Sequence, residues 1–201
     1  MMEQIRAFIA IELSDAVKDR LASLRDRLRP AEHPYVKWVA PEGVHLTLKF
    51  LGNIAQERVP QITEAMARVA HQASPFQIRI GGLGAFPNMR RPQVIWVAIE
   101  GEVEQLITLH RGIDQALIPL GFAPESRSFT PHLTLGRLRE QASPQERRRL
   151  GELMMAIEFE TGPAMEVREI SLIRSRLTPQ GAIYSQIVAV ELKSGLSTSC
   201  L

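Results

Sequence analysis

Cysteine is almost missing from this chain: Cys200, next to the end of the 201 residues, is the only one. No intrachain disulfide can form, and a chain that does without disulfides is expected in the cytoplasm. No stretch approaches the roughly 20 consecutive apolar residues of a spanning helix, so no membrane partner is expected. Met1-Met2-Glu3-Gln4-Ile5-Arg6 lacks the basic region, apolar stretch and cleavage site of a secretory signal and passes straight into a strand-like run. Charge of one sign is missing too, since 24 Lys and Arg stand against 22 Asp and Glu, a formal net charge of +2. Bulk electrostatics therefore does not mark a nucleic-acid binder. Basic residues do fall near the histidine motifs described below (Lys37, Lys49, Arg90, Arg91, Arg127, Arg137 and Arg139), and each alone reads as solvated surface charge. No Gly-x-Ser-x-Gly elbow is present, which removes the usual setting of a nucleophilic serine. At 45% hydrophobic and 23% charged residues, the rest of the composition is that of an ordinary folded domain.

Against these absences stands a repetition. His-Leu-Thr-Leu occurs as His45-Leu46-Thr47-Leu48 and again as His132-Leu133-Thr134-Leu135. In an extended strand, residues two apart share a face. Each copy then sets two leucines toward a core and leaves an imidazole and a hydroxyl on the other side. By the same parity Lys49 joins the His45 face, whereas Arg137 falls on the face opposite His132 unless the strand ends or bends near Gly136.

The repetition extends over the chain. Phe8-Ile9-Ala10-Ile11-Glu12 returns 88 positions later as Trp96-Val97-Ala98-Ile99-Glu100, the His motif returns after 87, and Ser74-Pro75 is matched 88 later by Gly162-Pro163. Three landmarks at nearly one offset indicate an internal duplication, with units of about 5–84 and 93–192. Ser14 is placed to cap a helix with apolar positions Val17, Leu21, Leu24 and Leu28. The matching helix carries Val103, Leu106, His110, Ile113 and Leu117 and stops at Pro119 and Gly121. After each motif strand a second helix is expected, one along Val59, Ile62, Met66, Val69 and Ala73. The other opens with a Ser143-Pro144-Gln145-Glu146 capping box and continues with Leu150, Leu153, Met154 and Ile157. Strands close each unit: Phe76 to Leu83, Val94 to Glu100, Met165 to Arg174 and, after a turn at Thr178-Pro179-Gln180-Gly181, Ile183 to Leu192. The expectation is one α+β domain over 1–193, with two pseudo-symmetric lobes, each a mainly antiparallel sheet backed by helices, and the active-site cleft between them. Residues 194–201 read as a loose tail.

Five histidines compete for function. His33 lies in a proline-flanked loop, His71 falls off the apolar stripe of its helix, and His110 lies on such a stripe, where a core or border role is expected. His45 and His132 differ because they recur in one context at one register. A zinc site wants about three or four ligands, and Glu42 and Glu125 are the only carboxylates near these two, so no metal or other cofactor is expected. Two imidazoles, each with an ordinary pKa near 6.5, can share acid and base work at neutral pH. A displacement at phosphorus suits them: one takes a proton from water, the other gives one to the departing oxygen. Thr47 and Thr134 would donate to the non-bridging oxygens. A strained cyclic phosphodiester is the obvious substrate.

The doubled His-x-Thr motif in a duplicated α+β chain resembles the 2H phosphoesterase superfamily. It is most similar to the bacterial and archaeal RNA 2′,3′-cyclic phosphodiesterases, historically called 2′-5′ RNA ligases. Carrying the resemblance are Arg6-Ala7-Phe8-Ile9-Ala10-Ile11, Lys37-Trp38-Val39, His45 through Gly52, Pro131 through Arg137, and Gly181-Ala182-Ile183-Tyr184. The resemblance implies His45 as proton donor to the leaving 3′ oxygen, His132 as the base that activates water, and a 2′-phosphate product. It implies substrate contacts from Thr47, Thr134 and Arg137, an RNA partner with a 2′,3′-cyclic phosphate end (tRNA fragments among the candidates), and no obligate protein partner. Phe50 and Tyr184 are candidates to stack on a base or ribose, with core packing the alternative for Phe50.

Overall fold

The computed structural model describes residues 3–29, 35–178 and 181–193. In chain order it contains β1 (Gln4–Glu12), α1 (Asp15–Leu28), β2 (Val36–Trp38), β3 (His45–Ala55), α2 (Val59–Ala70), β4 (Phe76–Phe86) and β5 (Val94–Gly101). Then follow α3 (Val103–Leu117), β6 (His132–Leu138), α4 (Pro144–Ala156), β7 (Ala164–Val167), β8 (Glu169–Thr178) and β9 (Gly181–Glu191). His33, Pro179, Gln180 and the tail 194–201 lie outside the described residues.

The helices form where the apolar spacing expects them, with a side-chain N-cap hydrogen bond, among the described residues, at α4 only. Val17, Leu21, Leu24 and Leu28 all turn inward from α1; Ser14 occupies the N-cap position, but its side chain makes no capping hydrogen bond. The α4 cap is complete: the Glu146 amide donates to Ser143 Oγ at 3.3 Å, and the Ser143 amide donates to Glu146 Oε2 at 2.7 Å. α3 tightens into a 3₁₀ turn over Ile118–Leu120 and stops at Gly121, whose φ of 81° is left-handed. α2 and α3 pack together. Gly112 makes this close approach possible, since a Cβ there would lie 2.7 Å from Val69 Cγ1.

Two sheets result, in the orders β3-β1-β8-β9 and β2-β6-β5-β4-β7, and every strand pair is antiparallel. β1 and β5, the repeated apolar strands, hold equivalent places, each paired on one side with its own His-motif strand. On its other side each pairs with a strand from the opposite repeat, β1 with β8 and β5 with β4. The sheets therefore do not coincide with the sequence repeats; strands are exchanged between them. The exchange explains why the run from Met165 to Arg174, expected as a single strand, breaks at Arg168. β7 pairs with β4 in one sheet while β8 pairs with β1 in the other. β2 was not expected either: three residues are too few to show a period, and they pair with Gly136–Leu138 of β6.

Ile5, Ala7, Ile9 and Ile11 of β1 and Ile95, Val97 and Ile99 of β5 enter one continuous core with Leu21, Ile62, Met66, Leu106 and Leu109 from the helices. The other face of the first sheet has its own small cluster of Phe8, Ala10 and Ile173, with Tyr184 packed against it. Among the described residues no helix is long and apolar enough to cross a membrane.

Candidate active site

Both motif strands break strict alternation at the same point. On β3, Thr47 lies opposite Ala10 but Lys49 lies opposite Ile9, so Leu48 is one residue too many. On β6, Thr134 lies opposite Trp96 but Gly136 lies opposite Ile95, so Leu135 is the extra residue. Such β-bulges invert the parity of everything after them. The consequences are two corrections to the parity reading. Lys49 leaves the His45 face, sits behind the core-facing Ile9 and is only 4% exposed. Arg137 lies opposite Val94, on the face that bears Trp96 and Thr134, and is exposed. Phe50, the counterpart of Arg137 in the first repeat, lies opposite Phe8 on the His45 face and is 65% exposed, which removes the core reading of that ring. Each strand thus presents a His, a Thr and a third residue on one face: His45, Thr47 and Phe50, and His132, Thr134 and Arg137. The two strands share no ladder, yet their Cα atoms come within 8 Å.

The two imidazoles sit in different surroundings. His45 stacks on Phe8 (centroids 4.8 Å apart, planes at 27°) and meets the edge of Tyr184 (4.5 Å, 90°). Burial between these rings, with a smaller contribution from the Lys18 ammonium, pushes its pKa down to about 4. His45 is accordingly neutral at pH 7 in the free protein. It also borders a depression lined by Glu12, Lys18, Glu42, Tyr184 and Gln186. His132 is held by the backbone instead: its Nδ1 lies 2.7 Å from the Thr130 carbonyl oxygen. A carbonyl only accepts, so Nδ1 carries the proton and the Nε2 of the neutral ring keeps its lone pair. The edges of Phe86 (5.1 Å) and Trp96 (6.1 Å) flank it. Phe8 and Trp96 hold matching places in the repeats, so aligning the two copies was the signal that each motif His has an aromatic neighbour.

Elsewhere the histidines behave as their patterns imply. His110 is buried and stacks face to face on Phe129 (3.9 Å, 5°), with burial as the main cause of its lowered pKa; His71 is exposed. Lys49 is no surface charge. Its Nζ donates to Asp114 Oδ1 at 2.5 Å and to the Ala123 carbonyl at 2.7 Å, and lies 3.5 Å from Glu125 Oε1. Burial works to raise the Asp114 carboxyl, but the Lys49 bond, the Glu125 amide and the nearby positive charges outweigh it and hold it below the usual carboxylate range. Among the described residues no three His, Cys, Asp or Glu are grouped to hold a metal ion.

The sequence matches the LigT-like phosphoesterase family twice, over residues 11–96 and 97–184, so each half of the chain carries one family unit. The chain belongs to this family. Among family members, an RNA 2′,3′-cyclic phosphodiesterase of Methanothermobacter thermautotrophicus is 36% identical, covering 94% of this chain and all of the relative. One of Archaeoglobus fulgidus is 33% identical over 93% of this chain and all of the relative. A crystal structure from Thermus thermophilus superimposes with a TM-score of 0.75 at 28% identity, over 94% of this chain and 98% of the other.

Proposed function

We propose that this LigT-like phosphoesterase hydrolyses RNA 2′,3′-cyclic phosphate ends to 2′-phosphate ends by metal-independent two-histidine catalysis. The observation that carries the reading is the pair of bulged strands, which bring His, Thr and a third residue to one face at the same register in both repeats. The name shared by the two archaeal relatives supports the substrate class.

In this reading His132, with Nδ1–H tied to Thr130, takes a proton from water on its free Nε2. The water oxygen bonds to phosphorus, the bond from phosphorus to the 3′ oxygen breaks, and His45 gives the departing oxygen its proton. Thr47 and Thr134 donate to the non-bridging oxygens, and Arg137 adds a guanidinium suited to two such oxygens. Phe50, open to solvent beside Phe8 (centroids 6.0 Å apart), offers a stacking surface to a base. With a 5′-hydroxyl in place of water, the same groups would join a cyclic end to it as a 2′-5′ linkage: the 5′ oxygen bonds to phosphorus as the bond to the 3′ oxygen breaks. Hydrolysis therefore dominates wherever water competes freely. We place the activity in the cytoplasm, in keeping with the lone Cys200.

The test is incubation of EDTA-treated protein with a short RNA ending in a 2′,3′-cyclic phosphate, and assignment of the phosphate position in the product. A 2′-phosphate is expected. Turnover that requires added metal, or a 3′-phosphate product, would overturn the mechanism; an untouched RNA with turnover of a small cyclic phosphate would move the substrate class.

A further inference from the structure

Lys49 is the motif residue that the proposed reaction leaves unused. The bulge at Leu48 turns it away from the His45 face and buries it against α3. Burying an ammonium is costly unless it is paired and hydrogen-bonded. Here the partners all come from the second repeat: Asp114 on α3, then Ala123 and Glu125 on the irregular segment that leads to His132. Asp114 binds the same segment directly, accepting from the Glu125 amide at 3.1 and 3.2 Å. Further along, Phe129 lies flat on His110 of α3, and the next residue, Thr130, supplies the carbonyl that fixes the His132 ring. At the start of the segment, Arg58 donates to the Leu120 carbonyl and lies over Phe122, 4.8 Å from its centroid.

These contacts form a physical connection between the motif strands. β3 is an edge strand of its sheet and shares no backbone hydrogen bonds with β6, which belongs to the other sheet. The relative placement of the two histidines must come from packing and side-chain links. The hydrogen bonds and charges from Lys49 to Asp114, Ala123 and Glu125, continued along the chain through the Phe129–His110 stack to the carbonyl that orients His132, are such a link. We propose that Lys49, through its buried pair with Asp114, is a positioning residue that sets the placement and ring orientation of His132 relative to the first motif. This inference rests on the two-histidine reading. Lys49 touches no substrate; it acts through the segment 122–131.

The test uses the full-length protein carrying Lys49→Met together with Asp114→Asn. The double change leaves no lone buried charge, and the carboxamide introduced by Asp114→Asn keeps an oxygen for the Glu125 amide. Expected are a melting temperature near that of the wild type, a fall in kcat of about 30- to 100-fold on cyclic-ended RNA with KM almost unchanged, and imidazole ¹⁵N shifts reporting a mixture of His132 tautomers. A kcat within about twofold of wild type, or a rise in KM alone, would overturn the proposal. Glu125→Gln alters only a largely exposed carboxylate, so it tests the link independently of folding; a fall in kcat of about 2- to 5-fold is expected, and none counts against the link. His132→Ala separates the two levels of inference. If that variant stays active the catalytic reading fails, whereas an inactive His132→Ala beside a fully active double variant sinks only the positioning role.

Discussion

Replacing Tyr184 by alanine should raise the pKa of His45 and shift the acid side of the pH–rate profile with it. A pKa of about 4 in place of 6.5 corresponds to about 3 kcal/mol against the imidazolium. At pH 7 about one molecule in a thousand then carries the charge, against about a quarter for an ordinary histidine. Desolvation is the main cause and the Tyr184 edge, 4.5 Å from the ring, is part of what excludes water. Opening that side should return the pKa to about 5–6, read directly from the ring resonances in an NMR titration. A wild-type His45 that titrates near 6.5, or a Tyr184→Ala protein in which it stays near 4, would refute the reasoning.

The same numbers bear on how a depressed histidine serves as the proposed acid. A phosphodiester anion about 4 Å away is worth ~4 kcal/mol at an effective dielectric near 20, enough to offset the desolvation. His45 should thus take up a proton as substrate binds, and inorganic phosphate should raise its pKa in the free protein. Stability follows with a definite sign. The unfolded chain binds the proton more readily than the folded one, so His45 contributes its full effect above pH 6.5 and loses about 3 kcal/mol of it as pH falls through 4. The lowered pKa of His110 acts in the same direction.

His45→Ala and His132→Ala should each lower kcat/KM for cyclic-ended RNA by about 10³-fold or more, and either variant keeping most of its activity would end the two-histidine mechanism. Thr47→Val and Thr134→Val should each lower kcat by about 10²-fold in steady-state assays, since each removes one donor to the developing charge while keeping the side-chain shape. Phe50→Ala should raise KM for RNA about tenfold and leave melting unchanged, because the ring is exposed and loses only its stacking role; unaltered RNA kinetics would remove Phe50 from the site. Gly84→Ala should reduce kcat and lower the melting temperature together, because its new Cβ would run into the indole of Trp96, which flanks His132; a variant with native kinetics would mean that the indole can shift freely.

Much of this molecule was legible because duplication writes each element twice. The helix stripes at Val17 to Leu28 and Val103 to Leu117, the α4 capping box, and the His-Thr faces all follow from local periodicity and capping chemistry. Three features were not local. The strand exchange is invisible to any period, because β8 reads alike whether it pairs with β1 or with a strand of its own repeat. The break at Arg168 follows from that exchange rather than from a proline or glycine at the site. The bulges at Leu48 and Leu135 carry no distinguishing residue, yet they decide that Arg137 and Phe50 share the face of the motif His and Thr and Lys49 does not. A hint was available: with strict alternation Lys49 faces the cleft in one repeat while its counterpart Gly136 supplies no side chain in the other, whereas a bulge gives both repeats a substantial third residue, Phe50 and Arg137.

On the two-histidine reading, a duplicated motif poses a chemical problem with a local answer. Two identical imidazoles would titrate alike, and acid–base catalysis by a pair needs one to give a proton where the other takes one. Both strands keep His and Thr, so the distinction must come from what surrounds them. Around the first motif, Phe8 and Tyr184 strip His45 of water and the Lys18 ammonium adds its repulsion, disfavouring the charged ring until an anion arrives. In the second, a backbone carbonyl fixes the His132 tautomer and leaves Nε2 free. The third residues diverge in the same way, a stacking ring at 50 and a phosphate-seeking guanidinium at 137. So do the residues just before them: Gly136 lies close under β2, where a Cβ would stand 3.0 Å from Val36 Cγ1, while Lys49 reaches across to the second repeat. On the proposed reaction, symmetry in the backbone delivers two histidines to one place, and divergence at a few flanking positions makes them unequal partners.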